Sequence, residues 1–235
     1  LLDALSREEP SIREVAGLIA QDVSMSAGIL KLVNSAFFGL RTHVASPVHA
    51  VNLLGLEIVK ALVLGIGLFD RFDKDSFRDF DLEKLWGHSF GTGRLAREIA
   101  EAEGASSAER EHCYIAGLLH DVGKLVMATN FPGAYREVIT ACQEGQGTIL
   151  EMEQRVFGAS HAEVGAYLLG LWGVEDAVVR AVYLHHEPGR DRRAGFSPLL
   201  AVHVANRLEH ELVIIHRGYA INPLDELYLA ASGLS

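Results

Sequence analysis

Helix-start signals recur along this chain and leave little room for any other secondary structure. Ser11 to Glu14, Ser106 to Glu109, Thr148 to Glu151 and Ser160 to Glu163 each read hydroxyl-x-x-Glu. In that pattern the hydroxyl accepts from the fourth backbone N–H while the carboxylate reaches back to the first. Ser46-Pro47, Ser197-Pro198 and Asn222-Pro223 each supply a cap and then a proline. Proline suits the first helical position, because the N–H it lacks would have no partner there. Asp81 can cap a helix carrying Leu82, Leu85 and Trp86. Strand signals are nearly absent. The β-branched run Val213-Ile214-Ile215 continues a helical pattern that begins at Pro198. The expected fold is all-α, with about eleven or twelve helices.

Bulk properties narrow the class further. A chain of 235 residues that is 49% hydrophobic suits one domain, or two small subdomains sharing a core. The net charge of −10 argues against nucleic acid or an anionic membrane as the partner. The most apolar run, Ala61 to Phe69, is far shorter than the roughly twenty residues a spanning helix needs. Cys113 and Cys142 form no CxxC pair and read as buried, reduced thiols in a cytoplasmic protein. The chain begins at Leu1 and its first methionine is Met25, so a piece of a longer polypeptide is expected.

The segment from Arg71 to Asp81 is charged, carries Phe72, Phe77 and Phe80, and marks a boundary. The expected organisation is an N-terminal helical subdomain over 1–72, a helical core over 81–217 and a C-terminal helix or tail over 218–235. A second polar stretch, Glu187 to Gly195, holds Pro188, Arg190, Arg192 and Arg193, and reads as a solvated loop.

The chemistry-bearing residues lie after the boundary. They run His88, His120-Asp121, His161 and His185-His186. Histidine and carboxylate are the ligands that divalent transition metals take from proteins. Neighbouring residues on a helix point about 100° apart, so the His120-Asp121 doublet can grip an ion from a helix end. Asp121 has two oxygens and can bridge two ions. His161 follows the Ser160 cap and can face inward. His185-His186 closes a helix ahead of Pro188. Such a cage has room for one ion, or for two about 3.5–4 Å apart. His43, His49, His112, His203, His210 and His216 show no comparable context and read as ordinary surface or core residues.

These strings, with Gly117-Leu-Leu-His-Asp-Val-Gly-Lys124 the most specific, resemble the metal-site residues of the HD phosphohydrolase superfamily. The N-terminal half narrows the resemblance. Leu18-Ile-Ala-Gln-Asp22, Leu30-Lys-Leu-Val-Asn34-Ser35-Ala-Phe-Phe-Gly39 and Ala50-Val-Asn-Leu-Leu-Gly55 are strings of HDOD domains, the HD-related output domains of bacterial signalling proteins. The resemblance spans roughly residues 1–215. It implies an N-terminal helical subdomain packed on an HD-like helical core, which serves as a regulatory output module for other signalling domains or proteins. It also implies one or two divalent ions (iron, manganese, zinc or nickel) held by His88, His120, Asp121, His161, His185 and His186. The last three histidines match those of the HD-GYP cyclic-dinucleotide phosphodiesterases, a sister group.

Two departures from the catalytic relatives point to a non-catalytic module. Asn206 stands where they have a closing aspartate, and a neutral amide is a weaker ligand and no general base. It remains a candidate for a weak or outer contact. The glycine-tyrosine-proline element of the phosphodiesterases is replaced by Gly195-Phe196-Ser197-Pro198. The alternative is a metal-dependent phosphohydrolase, a phosphodiesterase or phosphatase. Asp121 would then orient or accept a proton, and Lys124 would neutralise phosphate charge. The sequence leaves open whether Lys124 is free or ion-paired with Asp121.

Overall fold

The boundaries of the helices follow their capping residues. The computed structural model describes residues 12–34, 42–69, 82–193, 195–212 and 223–232. The chain divides into two compact units, Leu1–Arg71 and Phe72–Ser235. Among the described residues there are thirteen α-helices, one short 3-10 turn and no strand. The chain is all-α. No single described helix is long and apolar enough to cross a membrane.

The first unit contains α1 (Ile12–Gln21), α2 (Val23–Val33), α3 (Pro47–Leu54) and α4 (Leu56–Phe69). Asp22 caps α2 by accepting from the Met25 N–H at 3.0 Å. Asn34 ends the same helix and ties it to the next segment. Its amide donates to the Leu30 and Val44 carbonyls at 2.8 and 2.9 Å and accepts from the Val44 N–H at 2.8 Å. Ser46 caps α3 through the His49 N–H, with Pro47 in the first turn. Val15, Ile19, Ile29, Val33, Val44, Val51, Val59 and Leu62 are buried and form the core of this unit. The capping box at Ser11, the cap at Asp81, the Val213 to Ile215 run and Asn222 lie outside the described residues.

The second unit contains α5 (Leu82–Ala102), α6 (Ser107–Leu119), α7 (Val122–Asn130), α8 (Pro132–Gln143), α9 (Ile149–Phe157), α10 (His161–Leu171), α11 (Asp176–Leu184), α12 (Pro198–Leu212) and α13 (Glu226–Ala231). The boxes at Ser106, Thr148 and Ser160 form as expected and open α6, α9 and α10. The helix expected at Asn222-Pro223 instead opens on Asp225, which accepts from the Tyr228 N–H at 2.9 Å. Helices α5 and α6 pack together, and α12 lies against both. Their approach needs glycine: a Cβ on Gly117 would lie 2.7 Å from Gly93 Cα. Helices α8 and α9 close a satellite core of Val138, Ala141, Cys142 and Met152. Both cysteines are buried and free, and burial pushes the thiols up, to about 12 for Cys113 and about 11 for Cys142.

Candidate metal centre

The candidate ligands come from helix ends and one helix interior, which converge on Asp121. His88 projects from α5. His120 directly follows α6, Asp121 precedes α7, His161 opens α10, and His185 and His186 follow α11. The two doublets use the same local device. At the end of a helix several carbonyls lack N–H partners. His120 Nδ1 bonds the Gly117 carbonyl at 2.7 Å, and His185 Nδ1 bonds the Val182 carbonyl at 2.7 Å. A carbonyl only accepts, so each Nδ1 carries the proton and each Nε2 lone pair is available. His161 reaches the same state another way, since its Nδ1 donates to Glu153 Oε2 at 2.6 Å.

Asp121 is the hub. Its Oδ1 lies 3.3 Å from His161 Nε2 and 4.0 Å from His185 Nε2, and its Oδ2 lies 3.4 Å from His120 Nε2 and 3.9 Å from His88 Nε2. Two sets of donors therefore share it: Asp121, His161, His185 and His186 on one side, and His88, His120 and Asp121 on the other. His161 and His186 face each other through Nε2 atoms 3.0 Å apart, as His88 and His120 do at 3.1 Å. Nitrogens about 2.0–2.1 Å from a common ion are separated by roughly 2.9 Å at right angles and roughly 3.3 Å at the tetrahedral angle. The observed separations fall near that range. Asp121 Oδ1, His185 Nε2, His88 Nδ1 and Asn206 Oδ1 are buried without a hydrogen-bond partner. Orphaned acceptors in an interior are costly, and a cation at the first two would satisfy them. The residues present thus fit a divalent ion.

Lys124 Nζ is bonded to Asp121 Oδ2 at 2.7 Å, so the lysine is ion-paired. Burial is the largest influence on Asp121 and pushes its pKa up, yet His120, Lys124 and His161 together hold its carboxyl well below the usual range. Burial, followed by neighbouring rings, holds His88, His185 and His186 well below the ordinary histidine value, and burial also lowers His120. Neutral imidazole is the ligand form. His161 differs: burial works against its charge, but the carboxylates of Glu153 and Asp121 outweigh this and raise it.

Three residues at this centre were not singled out by their sequence context. His210 sets its ring 4.4 Å from that of His88. His203 bonds the His185 carbonyl through Nδ1 at 2.8 Å and accepts the Asp225 N–H through Nε2 at 3.0 Å. Both of its nitrogens are used, so it is a satisfied core histidine that braces the second doublet. Glu153 is fully buried beside His161. A signal for it does exist in the sequence: it falls on the apolar stripe of α9 with Ile149, Met152 and Val156, where a carboxylate needs a partner. On the outer side, partly exposed His186 borders a cavity of about 600 Å³ that Tyr183, Glu187 and Arg190 also line. Arg190 pairs with Glu187 at 2.9 Å and stacks over Tyr183.

Comparison with known proteins agrees with this architecture. A structure of an HDOD domain protein of unknown function from Geobacter sulfurreducens superimposes with a TM-score of 0.66 at 27% identity, over 95% of this chain and 74% of that one. A Shewanella amazonensis protein provisionally named a phosphohydrolase gives a TM-score of 0.72 at 23% identity, over 99% and 81% of the two chains, a likeness of fold alone. An uncharacterized protein of Treponema pallidum is 27% identical over 183 residues, and this chain spans about a third of its length, 35%. The family model of the HDOD domain matches residues 1–188, and the chain belongs to the HDOD family.

Proposed function

We propose that this chain is a signal-transduction output module whose histidine–aspartate centre holds a divalent metal ion as architecture and performs no hydrolysis. One observation carries this reading: five of the six candidate donors are shut away from solvent, and only His186 reaches a partly exposed rim. His88, His120 and His161 are 0% exposed, and Asp121 and His185 are 1% exposed. Structural sites enclose their ion in protein donors, whereas catalytic sites keep a position open to water and substrate. The set of Asp121, His161, His185 and His186 supplies four donors by itself. The other side is weaker, because Lys124 already neutralises Asp121 Oδ2 and because Asn206 brings no charge. Membership of the HDOD family supports the output role. Partners would be other signalling domains or proteins.

A second reading, a metal-dependent phosphohydrolase, is favoured by the cavity beside His186 with its Arg190 guanidinium. A divalent ion would supply Lewis-acid polarisation of a phosphate there. Asp121 and Lys124 would be the catalytic residues. The test is hydrolysis of phosphomonoester and phosphodiester substrates by metal-loaded protein, native and Asn206→Asp. The expected result is no turnover above a chelated control for either. Turnover by the native protein that disappears in His161→Ala would contradict the non-catalytic reading.

A further inference from the structure

Glu153 is a buried acidic side chain that the donor set does not itself require. It lies on α9, eight residues before His161, and is 0% exposed. Its Oε2 accepts twice from His161, from the backbone N–H at 2.8 Å and from the ring Nδ1–H at 2.6 Å. Its Oε1 accepts from the hydroxyl of Tyr135, also 0% exposed, at 3.1 Å. No lysine or arginine is paired with it among the described contacts. An ionised carboxylate in an interior is costly unless its charge is met. The group that meets it is the His161 ring, whose far nitrogen, Nε2, faces Asp121 and His186.

We infer that Glu153 is the positioning residue of the metal centre: its carboxylate fixes the His161 ring as the Nδ1–H tautomer and makes Nε2 a stronger donor. The inference rests on the proposed metal site. A carboxylate bonded to the far nitrogen of a ligating histidine orients the ring and raises its basicity. Tyr135 and the His161 backbone N–H hold the carboxylate in turn, so it has one orientation rather than several. A merely structural role is the competing account, because the same oxygen also satisfies the first N–H of α10.

Glu153→Gln separates the two. The glutamine oxygen accepts both His161 N–H groups, and its amide NH2 donates to the Tyr135 hydroxyl. Both bonds from His161 survive, the Tyr135 bond reverses its direction, and the carboxylate charge is lost. Affinity for zinc is measured by chelator competition on the native protein, Glu153→Gln and Glu153→Ala, with circular dichroism to confirm folding. A second readout is the ring N–H resonance of His161 in zinc-loaded, 15N-histidine-labelled protein, assigned with His161→Ala. The inference predicts a loss of about 10–100-fold in affinity for a folded Glu153→Gln protein, with the His161 ring proton shifted. Equal affinity and an unshifted proton in Glu153→Gln overturn the assignment and leave the metal site standing. Native protein that takes up no zinc overturns the metal-site reading and this inference with it.

Discussion

At the residue scale, the centre is a set of neutral rings around one carboxylate, and protonation is its weakness. Burial and neighbouring rings hold His88, His185 and His186 well below the ordinary value, and burial with the charge of Lys124 lowers His210 to about 4. Unfolded histidines titrate near 6.5, so in the metal-free protein the unfolded state takes up these protons first. The stability these groups contribute is complete above about pH 6.5 and is lost as the pH falls toward the folded values. His161 has the opposite sign: its folded value is raised, so its contribution is present at low pH and is lost as pH rises through that value. The depressed rings outnumber it. Chelated protein should show a lower urea midpoint at about pH 5.5 than at about pH 7.5, and a midpoint that rises on acidification would contradict this. The six candidate ligands were legible because each stands in a distinctive string, and all six converge on one centre. The pairing of Lys124 with Asp121 was not legible, since i,i+3 spacing permits the contact without requiring it. Glu153 was missed because its meaning depends on a histidine from the next helix.

At the element scale, helix ends build most of the centre, and only His88 comes from a helix interior. His120 and His185 each bond the carbonyl three residues back, which turns a helix terminus into a ring holder. His161 begins α10, and its place depends on how closely α7 passes. A Cβ on Gly123 would collide with the His161 carbonyl oxygen and lie 2.9 Å from the Gly165 N. Gly123→Ala must push α10 away from α7. We expect a cost of about 1–3 kcal/mol in denaturant unfolding, with metal affinity reduced as well; unchanged unfolding and affinity would show that α10 needs no such approach. Thr148→Ala removes the hydroxyl that accepts the Glu151 N–H at 3.3 Å, and should cost about 1 kcal/mol by the same measurement, with no effect on metal affinity. Capping boxes could be read directly because their partners lie within four residues. The close approach at Gly123 could not, since a glycine codon carries no record of the helix that will lie against it. The helix before the C-terminus shows the same limit: Asp225, not Asn222-Pro223, caps it, because the His203 ring accepts the Asp225 backbone N–H and fixes the turn there.

At the scale of the whole molecule, the all-helical class followed from the caps, and the HDOD family from strings in both halves. The metal would join α5, the α6–α7 junction, α10 and α11 within the second unit, which makes its binding energy a folding energy. An ion present at a thousand times its dissociation constant adds about 4 kcal/mol to stability, so chelation should lower the thermal midpoint of the native protein markedly. His203→Ala, which removes the brace on the second doublet without removing a ligand, should weaken metal binding less than His161→Ala does. The measurement that tests the central claim most directly is elemental analysis of protein purified without chelator, by mass spectrometry of metals. The account predicts about one equivalent of a divalent transition metal, absent from folded His161→Ala protein. Native protein that carries no metal, and takes none up from excess ion, would contradict it and leave the histidines as packing alone.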